Sequence, residues 1–128
     1  MVLTDTRRRR RASPEPELAV PISELKAEMF QALSNPARIR ILEVLSSAEQ
    51  SVGEMQPAIG IELSHLSQQL GVLRRAGLVT SRKDGQMVFY SLKHPLISEL
   101  LRVAKQLLIS SLTETRDLLA DLDSETSR

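Results

Sequence analysis

A helical pattern of leucines that ends at a glycine, and is followed at once by two β-prone runs, constrains the fold of this chain most. Apolar residues recur at helical spacing on one side of this segment: Leu63, Leu66, Leu70 and Leu73. Such a side packs on a core. Gly77 is well placed to end the helix, because glycine readily adopts the left-handed conformation found after helix C-termini. The sequence therefore predicts a helix that begins within residues 62–64 and ends at Gly77.

The opposite side of this helix is polar. At about 100° per residue, that face carries Ser64, Gln68, Gly71 and Arg75, flanked by Ser67 and Gln69, with His65 at its edge. A helix that enters the DNA major groove needs short or hydrogen-bonding side chains on one face. We predict DNA contacts from Ser64, His65, Ser67, Gln68, Gln69 and Arg75. An ordinary solvated helix face is the alternative.

Two β-prone runs follow Gly77 directly. Residues 78–82 and 87–92 flank Lys83-Asp84-Gly85-Gln86, and Asp-Gly between such runs is typical of a tight hairpin turn. Three side chains beside this turn are suited to DNA phosphates or the minor groove: Arg82, Lys83 and Gln86. A merely solvated turn is the alternative.

Two helices are predicted near the start of the ordered region. Apolar residues at helical spacing between Ile22 and Leu33 predict the first helix. Asn35 is a suitable N-cap for the second helix and Pro36 a suitable first residue. The apolar pattern predicts that this second helix extends to about Ser46.

A capping pattern marks the start of a third helix. Ser51 and Glu54 have the spacing of a capping box, in which each side chain accepts a hydrogen bond from a backbone N–H at the helix start. We expect Pro57 to stop or bend this helix early, because a proline removes a backbone donor and crowds the preceding turn. Gly60 then completes the break.

A long last helix is predicted after His94 and Pro95. His94 is interpreted as its N-cap and Pro95 as a residue of its first turn. About 28 residues at 1.5 Å each span roughly 42 Å. A domain of this size cannot cover that length of leucine-rich stripe with its own core. We therefore predict that part of the stripe packs against a second copy of the chain.

Composition limits the classes of function. The 128 residues suit one domain, and 2% aromatic content favours a core of aliphatic side chains between helices. No cysteine is present, which excludes disulfides and thiolate metal sites. We find neither a phosphate-binding glycine loop nor a nucleophile with a matched base, so no catalytic residue is assigned and no enzyme is predicted. We expect no cofactor and no membrane contact, and we expect the protein to be cytoplasmic.

Charge and composition divide the chain into three parts. Residues 1–20 include the run Arg7 to Arg11 and read as a disordered basic arm, which either contacts DNA or is dispensable. Residues 21–123 form the predicted domain, with dimerisation helices at both ends, and residues 124–128 are expected to be a flexible C-terminus. Residues 35–93 contain seven Lys or Arg against five acidic residues, whereas residues 94–128 are net acidic. A polyanion-binding face separate from another surface is therefore predicted.

Three motifs in the right order resemble the ArsR/SmtB (arsenic-repressor) family of winged helix-turn-helix regulators over residues 22–110. They are the segments 33–42 (LSNPARIRIL), 66–70 (LSQQL) and 73–79 (LRRAGLV). The resemblance implies a mainly α fold with a small β-hairpin in the order α-α-α-α-β-β-α. It also implies a dimer formed by the first and last helices, with two recognition helices in successive major grooves of a palindromic operator, and repression until an effector arrives.

The sequence departs from the metal-sensing members of that family. Ser51 and Gly53 occupy the places of their thiolate pair on the third helix, and the last helix has no histidine after His94. Neither known metal site of the family is therefore expected. Two questions stay open at this point: whether an unknown small-molecule effector binds, and whether the protein activates transcription instead of repressing it. A winged-helix adaptor that binds proteins without reading DNA is the alternative function.

Overall fold

The computed structural model describes residues 20–126, which fold into five α-helices and one three-stranded antiparallel sheet. The helices are α1 (Ile22–Ala32), α2 (Pro36–Leu45), α3 (Val52–Ile59), α4 (Leu63–Arg75) and α5 (Leu96–Thr126). The strands are β1 (Gln50–Ser51), β2 (Val79–Asp84) and β3 (Met87–Leu92), in the sheet order β1-β3-β2. The winged helix-turn-helix fold expected from the sequence is confirmed. The sequence missed β1, whose two residues pair with Tyr90 and Phe89.

Capping side chains begin two of the helices as predicted. The Asn35 side chain accepts a hydrogen bond from the backbone N–H of Arg38 at 3.1 Å, and Pro36 is the first residue of α2. At α3, the Ser51 hydroxyl accepts from the Glu54 N–H at 3.2 Å, and the Glu54 carboxylate accepts from the Ser51 N–H at 2.8 Å. Local chemistry alone therefore sets where α2 and α3 begin.

Of the two effects expected of Pro57, an early stop or a bend, the early stop is wrong. The helix continues through Pro57 to Ile59 and ends where Gly60 adopts a left-handed conformation, with φ +78°. The missing N–H of Pro57 would have bonded the carbonyl of Gly53, and both residues lie on the exposed side of α3. Water can therefore satisfy that carbonyl, and the proline costs the helix less than it would in the interior.

Gly77 ends α4 and turns the chain into the sheet, as predicted. Its φ of +78° lets its own N–H bond the carbonyl of Arg74 at 3.0 Å, and lets the Leu78 N–H bond the carbonyl of Leu73 at 2.9 Å. Leu73 and Leu78 are both buried. This pair of bonds with its apolar contact is a Schellman motif, and it fixes the angle between α4 and β2.

The hairpin differs by one position from the predicted Asp-Gly turn. Asp84 pairs with Met87 in the ladder, so the two turn residues are Gly85 and Gln86. Gly85, with φ +66°, occupies the first turn position, and Gln86 does not have a positive φ. This arrangement corresponds to a type II′ turn, in which glycine is favoured at the first position. The turn therefore lies one residue later than a turn centred on Asp-Gly, so that β2 extends to Asp84 and β3 begins at Met87 instead of Gln86.

The core lies between α2, α3, α4 and the start of β2. Its most deeply buried side chains come from all four elements: Ile41, Leu42, Met55, Ile59, Leu66, Leu70, Leu73 and Val79. Leu63 was predicted to share the buried side of α4. The structure leaves it 52% exposed, because it is the first residue of the helix and lies beyond the edge of the core.

The last helix leaves the domain after its first two turns. Ile97 is buried and Leu100 and Leu101 are half-buried, whereas every side chain of residues 102–126 is exposed. This exposed part of α5 is roughly 38 Å long. The helix extends to Thr126, past the predicted boundary at residue 123, and residues 127–128 lie outside the described part, as does the predicted arm up to residue 19. Within residues 20–126, no helix meets the length and apolarity needed to cross a membrane.

Candidate nucleic-acid interface

The outward face of α4 is fixed by the burial of its inward face. Leu66, Leu70 and Leu73 have no exposed surface and pack into the core. With 3.6 residues per turn, this contact directs Ser64, Ser67 and Gln68 to solvent, and all three are exposed. His65 is exposed at the edge of the same face. The N-terminal half of α4 therefore presents hydroxyl, amide and imidazole groups together.

Gln69 does not belong to this face, which contradicts its predicted placement beside Ser67 for DNA contact. Its side chain is only 7% exposed, and its Oε1 accepts a hydrogen bond from Nη1 of Arg38 at 2.8 Å. Spacing at about 100° per residue places Gln69 beside the leucines Leu66 and Leu70, at the border between the two sides of the helix. A half-buried hydrogen-bond partner on α2, Arg38, brings it inward.

Arg38 connects three helices through one guanidinium group. Besides the bond to Gln69 on α4, its Nε donates to the carbonyl of Ala32 at 2.7 Å and its Nη2 to the carbonyl of Gln31 at 3.4 Å. These carbonyls belong to the last turn of α1, where helical acceptors lack partners within the helix. Arg38 therefore holds α4 in place relative to α1 and α2. The sequence offered no signal for this role, since nothing local distinguishes Arg38 from a solvated arginine.

Arg75 lies at the far end of α4, about 17 Å along the helix axis from Ser64. Its side chain folds back over Gly71, so that Nη1 is 3.3 Å from the position a Cβ at Gly71 would take. Arg75 also lines a hollow of about 290 Å³ beside Leu25, Glu28 and Met29 of α1. Gly71 thus makes room for the guanidinium group of Arg75.

In the hairpin, Lys83 and Gln86 are exposed at the tip as predicted, but Arg82 has an internal partner. Its Nε and Nη2 donate to the two carboxylate oxygens of Glu49, each at 2.8 Å. The guanidinium group also lies 4.8 Å from the centre of the Phe89 ring on the paired strand. The two-point contact holds β2 against the segment before β1. The structure therefore gives Arg82 a positioning role, and its predicted contact with a DNA phosphate stays a prediction.

This ion pair shifts the titration of both partners. The hydrogen bonds from Arg82, with a smaller contribution from its charge, hold the pKa of the Glu49 carboxyl below its ordinary value. The same contact raises the pKa of Arg82. Both side chains are therefore charged at neutral pH, which keeps the pair intact there.

A second arginine links α4 to the hairpin. Nη1 of Arg74 lies 3.4 Å from the Ser81 hydroxyl on β2. Together with the Schellman motif at Gly77, this contact ties the end of the helix to the first strand. The sequence pattern did not mark Arg74 or Glu49, because their partners are distant along the chain or lie in another element.

The two histidines have separate roles. Nδ1 of His94 accepts a hydrogen bond from the Leu96 N–H at 3.0 Å, which confirms His94 as the capping residue of α5. His65 is exposed on α4. Among residues 20–126 the structure contains no group of three or more His, Asp or Glu side chains arranged to hold a metal ion. Ser51, which occupies one place of the thiolate pair of metal-sensing members, is buried in the capping box of α3.

The chain is similar to known helix-turn-helix proteins in both sequence and structure. A family model described as a helix-turn-helix domain matches residues 33–82. The HTH-type transcriptional regulator Rv0081 of Mycobacterium tuberculosis is 52% identical over 103 residues, which are 80% of this chain and 90% of that protein. The crystal structure of Rv0081 matches with a TM-score of 0.69, over 75% of this chain and 97% of the other.

Two further proteins extend the comparison. The biofilm growth-associated repressor of Agrobacterium fabrum is 36% identical over 89 residues, covering 66% of this chain and 76% of the repressor. The solution structure of Mb0332 from Mycobacterium bovis is described as a homodimeric winged helix-turn-helix DNA-binding domain of a possible ArsR-family regulator. It matches with a TM-score of 0.69 at 24% identity, over 80% of this chain and 94% of the other, and supports the fold.

The neighbouring glutamines of α4 give a matched test of which face is inward. Gln69→Ala removes the acceptor for Arg38 and is expected to lower the free energy of unfolding by about 1–3 kcal/mol. Gln68→Ala, on the exposed face, is expected to change it by less than about 0.5 kcal/mol. Urea unfolding of both variants at one protein concentration measures the difference. Equal stability of the two variants would contradict the assigned orientation of α4.

The hairpin ion pair predicts a pH effect of defined sign. Because the folded pKa of Glu49 is depressed, the pair stabilises the fold above the unfolded pKa, and this stabilisation is lost as the pH falls through the folded pKa. In an NMR titration, the Glu49 carboxyl is expected to titrate at lower pH in the unmodified protein than in Arg82→Ala. Lys83→Ala, a change at the next residue, should leave the Glu49 midpoint where it is. A midpoint that does not respond to Arg82→Ala would show that the pair does not form.

Proposed function

The chain belongs to the ArsR/SmtB family of winged helix-turn-helix regulators, which makes it a DNA-binding transcription regulator, and we propose that it is a sequence-specific repressor. In this proposal a homodimer binds a palindromic operator and places one α4 in each of two successive major grooves. The single observation that carries the proposal is the outward face of α4, where Ser64, Ser67 and Gln68 are exposed together while the inward face is locked in the core.

The exposed side chains divide into those that read bases and those that hold the backbone. Gln68 carries both a donor and an acceptor and fits an adenine edge, whereas Ser64 and Ser67 are short enough to let the helix approach bases or phosphates. Arg75, which is about 17 Å from Ser64 along the helix, is better placed for a phosphate. His65 at the edge of the face is assigned a backbone contact.

The β2–β3 hairpin, which is the wing of this fold, supplies contacts that do not depend on the DNA sequence. Lys83 and Gln86 are exposed at the tip of the hairpin. The Arg82–Glu49 pair and the Arg74–Ser81 contact hold this tip at a set distance from α4. We assign Lys83 and Gln86 to phosphates or the minor groove next to the groove that α4 enters.

Dimerisation is supported by apolar side chains that the described chain does not cover. On α5, six leucines are between 51% and 68% exposed: Leu107, Leu108, Leu112, Leu118, Leu119 and Leu122. At about 100° per residue they fall within one broad stripe along the helix. On α1, Ile22 and Phe30 are also more than half exposed. We propose that these surfaces of α1 and α5 pack against the same surfaces of a second copy, as in an isologous dimer.

The signal that releases the proposed repressor does not act through the known metal sites of the family. Cysteine is absent from the chain, and Ser51 is committed to capping α3. We therefore propose regulation by something other than a thiolate-bound metal ion. A small-molecule effector is compatible with this proposal.

Selection of DNA sites tests the main proposal. Purified protein should enrich one palindromic sequence from a random duplex library. On that site Gln68→Ala is expected to cost roughly 1–3 kcal/mol and to relax the preference at one base pair per half-site, whereas Lys83→Ala weakens binding to all sequences alike. Titrations on selected and random DNA at several salt concentrations measure both effects. Equal affinity for the two DNAs, or unchanged operator affinity in Gln68→Ala, would contradict the proposal.

Two neighbouring residues of α5 test the dimer. Leu108 lies within the apolar stripe and Ile109 lies about 60° outside its edge, yet both are exposed in one protomer. Leu108→Asp is therefore expected to shift the protein from dimer to monomer in sedimentation equilibrium, and Ile109→Asp to leave the dimer intact. Circular dichroism checks that both variants stay helical. A protein that is monomeric at all concentrations before any substitution would refute the dimer.

A further inference from the structure

One apolar side chain lies at the N-terminal end of the α4 face that is proposed to read DNA. Leu63 is the first residue of α4 and is 52% exposed, although it belongs by sequence to the leucine pattern of the buried side. Leu66 and Leu70 complete the core without it. Within the described part of the chain, the structure therefore provides no core position for Leu63.

The position of Leu63 places it next to the polar groups that the proposed function uses. Ser64 follows it directly, and Ser67 lies one turn further along the same side. In helix-turn-helix proteins the N-terminal residues of the recognition helix contact base edges. If α4 docks in this way, Leu63 reaches the floor of the major groove together with Ser64 and Ser67.

A leucine in the groove has one apolar partner on the base edges. Every base pair presents hydrogen-bond donors and acceptors there, but thymine adds its C5-methyl group. Removing a leucine side chain from water against polar edges alone would leave those edges without hydrogen bonds. Contact with a methyl group avoids this cost and gains the free energy of apolar burial.

We propose that Leu63 is a specificity-determining residue that reads a thymine in each half-site of the operator by packing against its C5-methyl group. This inference rests on the proposed function and adds an apolar contact to the hydrogen bonds assigned to Ser64 and Gln68. It also gives the exposed Leu63 a role that neither core packing nor dimerisation through α1 and α5 provides.

Deoxyuridine isolates the methyl group. A site is first selected from a random duplex library with the full chain, and each thymine of one half-site is then replaced in turn by deoxyuridine, which keeps the base pair and removes only the methyl. One replacement is expected to weaken binding roughly fourfold, the effect of one lost methyl contact. The same replacement should have no effect on Leu63→Ala, whose affinity for the unmodified site is already reduced.

Val103→Ala is the matched control, because Val103 is an exposed apolar residue of α5, outside the helix and hairpin that the proposal brings to the DNA. It should keep the full sensitivity to deoxyuridine. Thermal unfolding checks that Leu63→Ala folds, as expected for an exposed position. If Leu63→Ala remains as sensitive to deoxyuridine as the unmodified protein, another group reads the methyl and the inference is wrong.

The remaining outcomes separate this inference from the proposed function. An enriched site at which no deoxyuridine replacement weakens binding overturns the role of Leu63 and leaves sequence-specific binding intact. Failure of the library to yield any preferred site overturns both proposals. Only a deoxyuridine effect that disappears in Leu63→Ala and persists in Val103→Ala supports the reading of thymine by Leu63.

Discussion

Burial of the inward face of α4 is the constraint on which the rest of this structure depends. Leu66, Leu70 and Leu73 have no exposed surface, and the bond between Gln69 and Arg38 fixes the rotation of the helix about its axis. A rotation of one residue position would bury Ser67 and expose a leucine. The core therefore determines which side chains face outward, and the proposed chemistry of DNA reading follows from packing.

The connections around α4 extend this constraint to the other surfaces. Arg38 joins the end of α1 to α4, and the Schellman motif at Gly77 sets the direction of β2. The Arg82–Glu49 pair then holds the hairpin to the segment before β1. Exposed ion pairs contribute little to stability, so the two-point geometry of this contact matters more for the position of the wing than for the stability of the fold. In the proposed dimer, the contact through α1 and α5 sets the position of α4 and the hairpin of one protomer relative to those of its partner.

Much of the fold could be predicted because its signals are local. The N-cap at Asn35, the capping box at Ser51 and the left-handed Gly77 each depend on residues within a few positions along the chain, and the structure confirms all three. The strand β1 could not be predicted, since two residues have no periodicity of their own and form a strand only through pairing with β3. Pro57 was misjudged because its cost depends on which side of α3 meets solvent.

The candidate site was predictable only to the level of a helix face. Residue spacing separates Gln68 from the leucines. It cannot determine whether the Gln69 side chain faces solvent or the core, because that orientation depends on Arg38, which lies 31 residues earlier in the chain. In the same way, Arg82 resembles a phosphate-binding arginine until Glu49 is placed beside it, and Leu63 resembles a core residue until the edge of the core is known. The roles of Gln69, Arg82 and Leu63 therefore depend on which parts of the fold lie next to them, and the local sequence does not contain this information.

A crystal structure of the protein on its selected operator tests the central claim most directly. The account predicts two copies with α4 in successive major grooves, Ser64 and Gln68 at base edges, and Gln69 still bonded to Arg38 away from the DNA. A complex in which α4 faces away from the groove, or in which Gln69 leaves Arg38 to contact a base, would contradict it.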